Sequence, residues 1–114
     1  VWDDSRLSNA IATAIEDPAN RVYVSVVSLW EVTIKSSVGK LALELPLEQF
    51  FTKHVDGNGF VVLPVTRPHL ATLHDLPFHH RAPFDRLLIA QSIAEGMTFV
   101  TDDDQIAKYT ITRL

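Results

Sequence analysis

The apolar and polar positions of residues 22–39 change period partway along. Val22 to Val24 form a short apolar run, Ser25 interrupts it, and "VVSLWEVTIKSSV" then runs to Gly39. The run predicts a buried strand; the longer stretch has helical spacing, with Ser25 placed to cap the helix and Gly39 to stop it. The same alternation continues. "LPLEQFFTKHV" predicts a second helix with Pro46 near its first turn, and "GFVVLPV" a second strand bounded by Gly59 and Pro64. A helix over "RPHLATLHDL" follows, then a polar loop "PFHHRA", then a helix from Pro83 to Glu95 that Gly96 ends. "MTFV" reads as a strand, Asp102 to Asp104 interrupt the pattern, and "QIAKY" predicts one or two further helical turns. Strands that alternate with helices and are themselves wholly apolar point to an α/β fold whose parallel sheet is covered on both faces.

Composition narrows the chemistry. A chain of 114 residues, 46% hydrophobic and 21% charged, is large enough for one domain with a real core and is unlike a disordered chain. It contains no cysteine, which excludes disulfides, thiolate metal sites and cysteine nucleophiles and is compatible with a cytoplasmic location. No apolar run reaches the length of a membrane span, and the first residues lack a basic stretch followed by an apolar one, so neither a membrane nor a leader is expected. The net charge of −4 is unlike that of a general nucleic-acid binder, so any contact with nucleic acid must be local.

Acids are the candidate chemistry. On the first predicted helix Val27, Trp30, Ile34 and Val38 share about a third of the circumference, and Glu31 falls in the same arc, which predicts a carboxylate on the buried face. Such a group is protonated, paired with a cation or bound to a metal, and Lys35, one turn on, offers a plain salt bridge. Asp85 lies just after the proline start of the later helix, where a carboxylate also offsets the helix dipole by about 0.3–1 kcal/mol. Asp102, Asp103 and Asp104 follow the strand "TFV", where aspartates also cap helices and make turns. In a parallel sheet, however, ligands bind beyond the carboxyl ends of the strands, which is where the Glu31 helix starts and where the aspartate run lies. Carboxylates gathered there repel by about 4 kcal/mol per pair at 4 Å and an effective dielectric near 20. A divalent cation removes the conflict, and oxygen-only ligands favour hard ions such as Mg²⁺ or Mn²⁺, which polarise phosphodiesters and acidify water.

These residues resemble the PIN-domain ribonucleases, and within them the toxin subunit of VapBC-type toxin–antitoxin pairs (VapC-like). The resemblance is carried by "VYVSVVSLWEVTIK" with Glu31, by "GKLALELPL" and "FVVLPVT", by "LPFHHRAPFDRLLIAQ" with Asp85, and by "FVTDDD" with Asp103. It covers nearly the whole chain. "HRAPFDRLLIAQ" followed some ten residues later by a strand and Thr-x-Asp is specific to the group, whereas "SLWE" alone is weak. The resemblance implies a single PIN-like domain over 1–114, a three-layer α/β/α sandwich with a mainly parallel central sheet. It also implies a Mg²⁺- or Mn²⁺-dependent endoribonuclease acting on RNA, an antitoxin that blocks its site, and a homodimer. Glu31, Asp85 and Asp103 correspond to the metal-site acids; Thr101 corresponds to a residue that orients water at the metal, and Arg86 faces phosphate or makes a salt bridge. One departure stands out. The family has an aspartate at the end of its first strand, in a pattern like Leu-Asp-Thr-His, and Val1 and Trp2 match the end of the helix after it. The domain is therefore expected to be N-terminally incomplete, without the first strand and first aspartate; Asp3 and Asp4 match a later loop instead.

Other candidates are weaker. His79 and His80 beside Arg81 read as a solvated loop, and His69 and His74 lack the i, i+4 spacing that places two ligands on one helix face. No glycine-rich phosphate loop, serine elbow or zinc signature is present. Against the nuclease stand two other readings: a non-catalytic PIN-like binding module that keeps antitoxin or dimer contacts, and an α/β domain whose acids merely cap helices. Metal binding that depends on Asp85 or Asp103 separates the nuclease from both.

Overall fold

A computed structural model of the chain describes residues 15–77, 82–99 and 112–113. The chain divides into two units, one formed by residues 21–65 and the other by residues 1–20 with 66–114.

In the first unit, β1 (Tyr23–Ser25) leads directly into α1 (Val26–Ser37). The switch happens at Ser25, whose extended backbone closes the strand while its Oγ accepts the Val27 N–H at 3.0 Å. A serine cap of this kind satisfies one of the orphan donors that every helix start leaves open. Gly39, at φ 77°, supplies the left-handed residue that ends the helix, and the Lys40 and Leu41 amides turn back to the Lys35 carbonyl. α2 (Leu47–His54) starts behind Pro46, and a 3-10 turn (Asp56–Asn58) joins it to β2 (Val61–Leu63). β1 and β2 are parallel, with Tyr23 opposite Val61 and Ser25 opposite Leu63. Val24, Val27, Val32, Phe50 and Val55 are the buried apolar residues here.

The second unit contains α3 (Arg67–His74), α4 (Pro83–Glu95), β3 (Thr98–Phe99) and β4 (Thr112–Arg113). α3 packs against α4, and Leu76 and Ile89 form a core cluster flanked by Leu73 and Phe99. Thr98 pairs with Thr112 and Phe99 with Arg113, again parallel. Gly96, at φ 66°, ends α4, while the Ser92 hydroxyl donates to the Met97 carbonyl at 2.7 Å and fixes the approach to β3.

The α/β expectation therefore holds, with parallel strands alternating with helices. Three details differ. β1 begins and ends one residue later than the apolar run, and its last residue, Ser25, serves both strand and helix. The 3-10 turn and β4 carry no hydrophobic period and went unpredicted. Among the described residues, Tyr23 of β1 and Val61 and Val62 of β2 are exposed, where wholly buried strands are expected. The helix expected at "QIAKY" lies outside the described residues. Among the described residues, no helix is long and apolar enough to cross a membrane.

Candidate functional site

α4 begins as its sequence dictates. Pro83 takes the first helical position, where its missing N–H costs nothing and its fixed φ suits the helix. Asp85 stands in the same first turn, half-buried, with its carboxylate at the positive end of the helix. Its neighbour Arg86 turns inward to 8% exposure, and its guanidinium donates from Nη1 to the Pro77 carbonyl at 2.9 Å and from Nη2 to the Leu76 carbonyl at 3.3 Å.

The far half of α4 is held by a residue that the spacing of histidines gave no reason to select. His69, on α3, is fully buried. Its Nδ1 accepts the Thr66 backbone N–H at 3.0 Å, so the ring proton sits on Nε2, which donates to Glu95 Oε2 at 2.7 Å. The Gln91 amide lies 3.4 Å from the same Nδ1, one turn before Glu95 along α4. One imidazole thus caps its own helix and crosslinks it to the helix that carries Asp85. In sequence the signal was faint: a Thr three residues ahead of His69 at a helix start, the spacing of a capping box.

Glu31 occupies a different setting from the one expected. α1 buries Val27 and Val32, whereas Trp30 is 56% exposed and Ile34 and Val38 are exposed as well. The inward side of α1 reaches from Val27 to Val32, about 140° round the helix, and Glu31, about 40° from Val27, falls between them, while Trp30 and Ile34, on the other side of Val27, are exposed. Its side chain is 34% exposed, and Lys35 Nζ lies 3.0 Å from its carboxylate, the i, i+4 salt bridge that the sequence offered as an alternative. A partly exposed pair of this kind is worth about 0.3–0.5 kcal/mol and exchanges readily for a stronger counter-ion.

Glu31 belongs to the unit of residues 21–65 and Asp85 to the unit that includes 66–114. Thr101 and Asp103, with the whole Asp102–Asp104 run, lie outside the described residues, as do Val1 to Asp4 and His79 to Arg81. Among the described residues, no three His, Cys, Asp or Glu side chains stand together as a group that could hold a metal. The donor chemistry of Glu31, Asp85 and Asp103 is nonetheless all oxygen, which suits a hard divalent ion.

A second charged cluster sits at the surface of the first unit. Glu44 meets His54 Nε2 through one carboxylate oxygen and Lys53 Nζ at 3.4 Å through the other, and the His54 ring lies against Phe50 with centroids 4.5 Å apart. The bond from His54, and then that from Lys53, holds the Glu44 carboxyl below the usual carboxylate range. A lowered folded-state value means that this contribution to stability is complete above the ordinary glutamate value and lost as pH falls through the lowered one. A carbon-detected NMR titration should place the Glu44 midpoint below that of glutamate in a model peptide, and Glu44→Gln should flatten the stability profile in that acid window. A Glu44 midpoint at the ordinary value would show that the cluster does not persist in solution.

A family model described as "PIN domain" matches residues 1–111 of the chain. No curated protein and no solved structure matches it significantly.

Proposed function

The chain belongs to the PIN-domain family, and on that premise we propose that it is a metal-dependent endoribonuclease, the VapC-like toxin of a type II toxin–antitoxin pair. PIN domains are generally nucleases, and some act in toxin–antitoxin systems. The observation that carries the reading is the family match across residues 1–111, which takes in every acid at issue. Asp85 supports it by placing a carboxylate in the first turn of α4, at the positive end of the helix.

In this proposal Glu31, Asp85 and Asp103 hold Mg²⁺ or Mn²⁺. When bound, the ion supplies Lewis-acid polarisation of a phosphodiester and offsets the charge of the substrate. The chain's own residues do the rest. Glu31 and Asp85 present oxygens, Lys35 serves as counter-ion to Glu31, and Thr101 orients water. RNA is the substrate, a cognate antitoxin covers the site, and the protein works in the cytoplasm as a homodimer. The exposed Trp30 and Ile34 side chains on α1, with Val38 at its C-terminal end, support a protein partner, since apolar surface of this kind favours association.

A second reading, a PIN-like binding module without catalysis, is favoured by one observation: Glu31 already has a cation, Lys35, at 3.0 Å. Cleavage of RNA that appears with Mg²⁺ or Mn²⁺ and vanishes on chelation would support the nuclease. If this chain, and the same chain extended by its in-frame upstream coding sequence, both leave RNA intact with either ion, the binding module takes its place. Calorimetric metal titration provides the second arm, because the module predicts no heat that depends on Asp85 or Asp103.

A further inference from the structure

We propose that Arg86 is a positioning residue for Asp85, fixing the first turn of α4 against the chain at Leu76 and Pro77, and is not a contact for substrate phosphate. The inference deepens the nuclease reading and rests on it.

Its starting point is where the guanidinium lies. Arg86 is 8% exposed, and two of its nitrogens each meet a backbone carbonyl, Pro77 at 2.9 Å and Leu76 at 3.3 Å. Desolvating a guanidinium is costly, so a buried one stays only where its donors find acceptors. Two successive carbonyls suit the rigid, planar fork of arginine, which holds its donors at a fixed spacing; a lysine ammonium has one nitrogen and no fork. Apolar packing reinforces the bond at the next turn. Leu76 is buried against Ile89, three residues beyond Arg86 and on the same side of α4.

The chain at Leu76 and Pro77 is thus fastened to α4 twice, once through a carbonyl pair and once through a side chain. Asp85 precedes Arg86 by one residue, so its side chain leaves the helix about 100° round from the fastened face. The rotation of the helix about its axis, and with it the direction of the Asp85 carboxylate, is therefore set by the residue beside it. The neighbouring pair Asp-Arg divides the labour, the acid pointing to the chemistry and the base holding the backbone.

Arg86→Lys distinguishes the two roles because lysine serves phosphate well but has a single nitrogen and no fixed fork with which to reproduce the separate Nη1 and Nη2 bonds to the two carbonyls. The full chain is compared as wild type, Arg86→Lys, Arg86→Gln and Asp85→Asn. Readouts are kcat and KM for RNA cleavage, calorimetric Mn²⁺ binding, and hydrogen exchange of the amides in the first two turns of α4. Positioning predicts that Arg86→Lys lowers kcat by about a hundredfold, the cost of a small misplacement of a reacting group, with KM within about twofold. It also predicts weaker Mn²⁺ binding and roughly tenfold faster exchange at those amides, which report loosened backbone whether or not RNA is cut. The proposal is overturned if Arg86→Lys keeps kcat and slow exchange while Arg86→Gln raises KM and lowers the salt slope of RNA binding by about one, the signature of a lost phosphate contact. An Arg86→Lys protein that does not fold also counts against it, since the residue would then serve the fold as a whole. A wild type inactive with either ion would defeat the nuclease reading by itself, and exchange at α4 would still decide whether Arg86 fixes that turn.

Discussion

Replacing His69 with alanine is expected to cost about 2–4 kcal/mol of stability, the sum of a filled core position and several hydrogen bonds lost together. His69 is fully buried, and the deletion removes the acceptor of the Thr66 N–H and one contact each of Gln91 and Glu95. Glu95 is partly exposed and can turn to water, so the larger part of the loss comes from the cap and from the space left between α3 and α4. His69→Asn tests the division. Its carbonyl can accept from Thr66 as Nδ1 does, but it is too short to reach Glu95, so its cost should fall between wild type and alanine. Urea unfolding followed by far-ultraviolet circular dichroism measures both. If the alanine variant unfolds within about 0.5 kcal/mol of wild type, the range of ordinary surface substitutions, the imidazole does not join the two helices in solution.

The second large effect concerns catalysis. Asp85→Asn keeps the shape of the side chain and its place in the first turn of α4, removing the negative charge and exchanging one acceptor oxygen for an NH₂ donor. If Asp85 serves solely as a favourable charge at a helix start, the variant loses about 0.3–1 kcal/mol of stability and nothing else. If it holds the cation, as proposed, metal-dependent cleavage should fall by more than the roughly 10- to 100-fold that losing a residue supporting a metal ligand costs. Melting temperature and single-turnover cleavage, measured on the same preparation, separate the outcomes. Glu31→Gln should behave likewise in cleavage while costing little stability, since its bond to Lys35 is partly exposed. Two variants that cleave at the wild-type rate would remove both acids from the proposed centre.

What could be read from the sequence was what the sequence settles locally. The bounds of α4 follow from Pro83 and Gly96, whose backbone preferences act within a residue or two. The turn from β1 into α1 follows from Ser25 in the same way. The orientation of α1 was not legible. Val27 belongs to two candidate stripes, one through Trp30, Ile34 and Val38 and one through Val32, and only packing against the rest of the chain chooses between them. That choice exposed Trp30, Ile34 and Val38 and left Glu31 half-buried with Lys35 as its partner. The link from His69 to Glu95 joins residues far apart in sequence, and nothing in the spacing of histidines announces it. Arg86 shows a subtler limit. Its presence beside Asp85 was plain, but whether a guanidinium turns to solvent or to carbonyls depends on where Leu76 and Pro77 lie. The family match covers the acids as members of a pattern; their individual duties are for the variants to decide.

The exposure of Trp30 has a practical consequence for following this protein in solution. Its indole already faces water in the native state, with 56% of the residue accessible. Denaturation therefore changes its surroundings little, and in a Trp2→Phe variant the remaining emission will be a poor gauge of unfolding. The same indole is well placed to report association: a partner laid over α1 would exclude water from the ring and shift its fluorescence to the blue without any label.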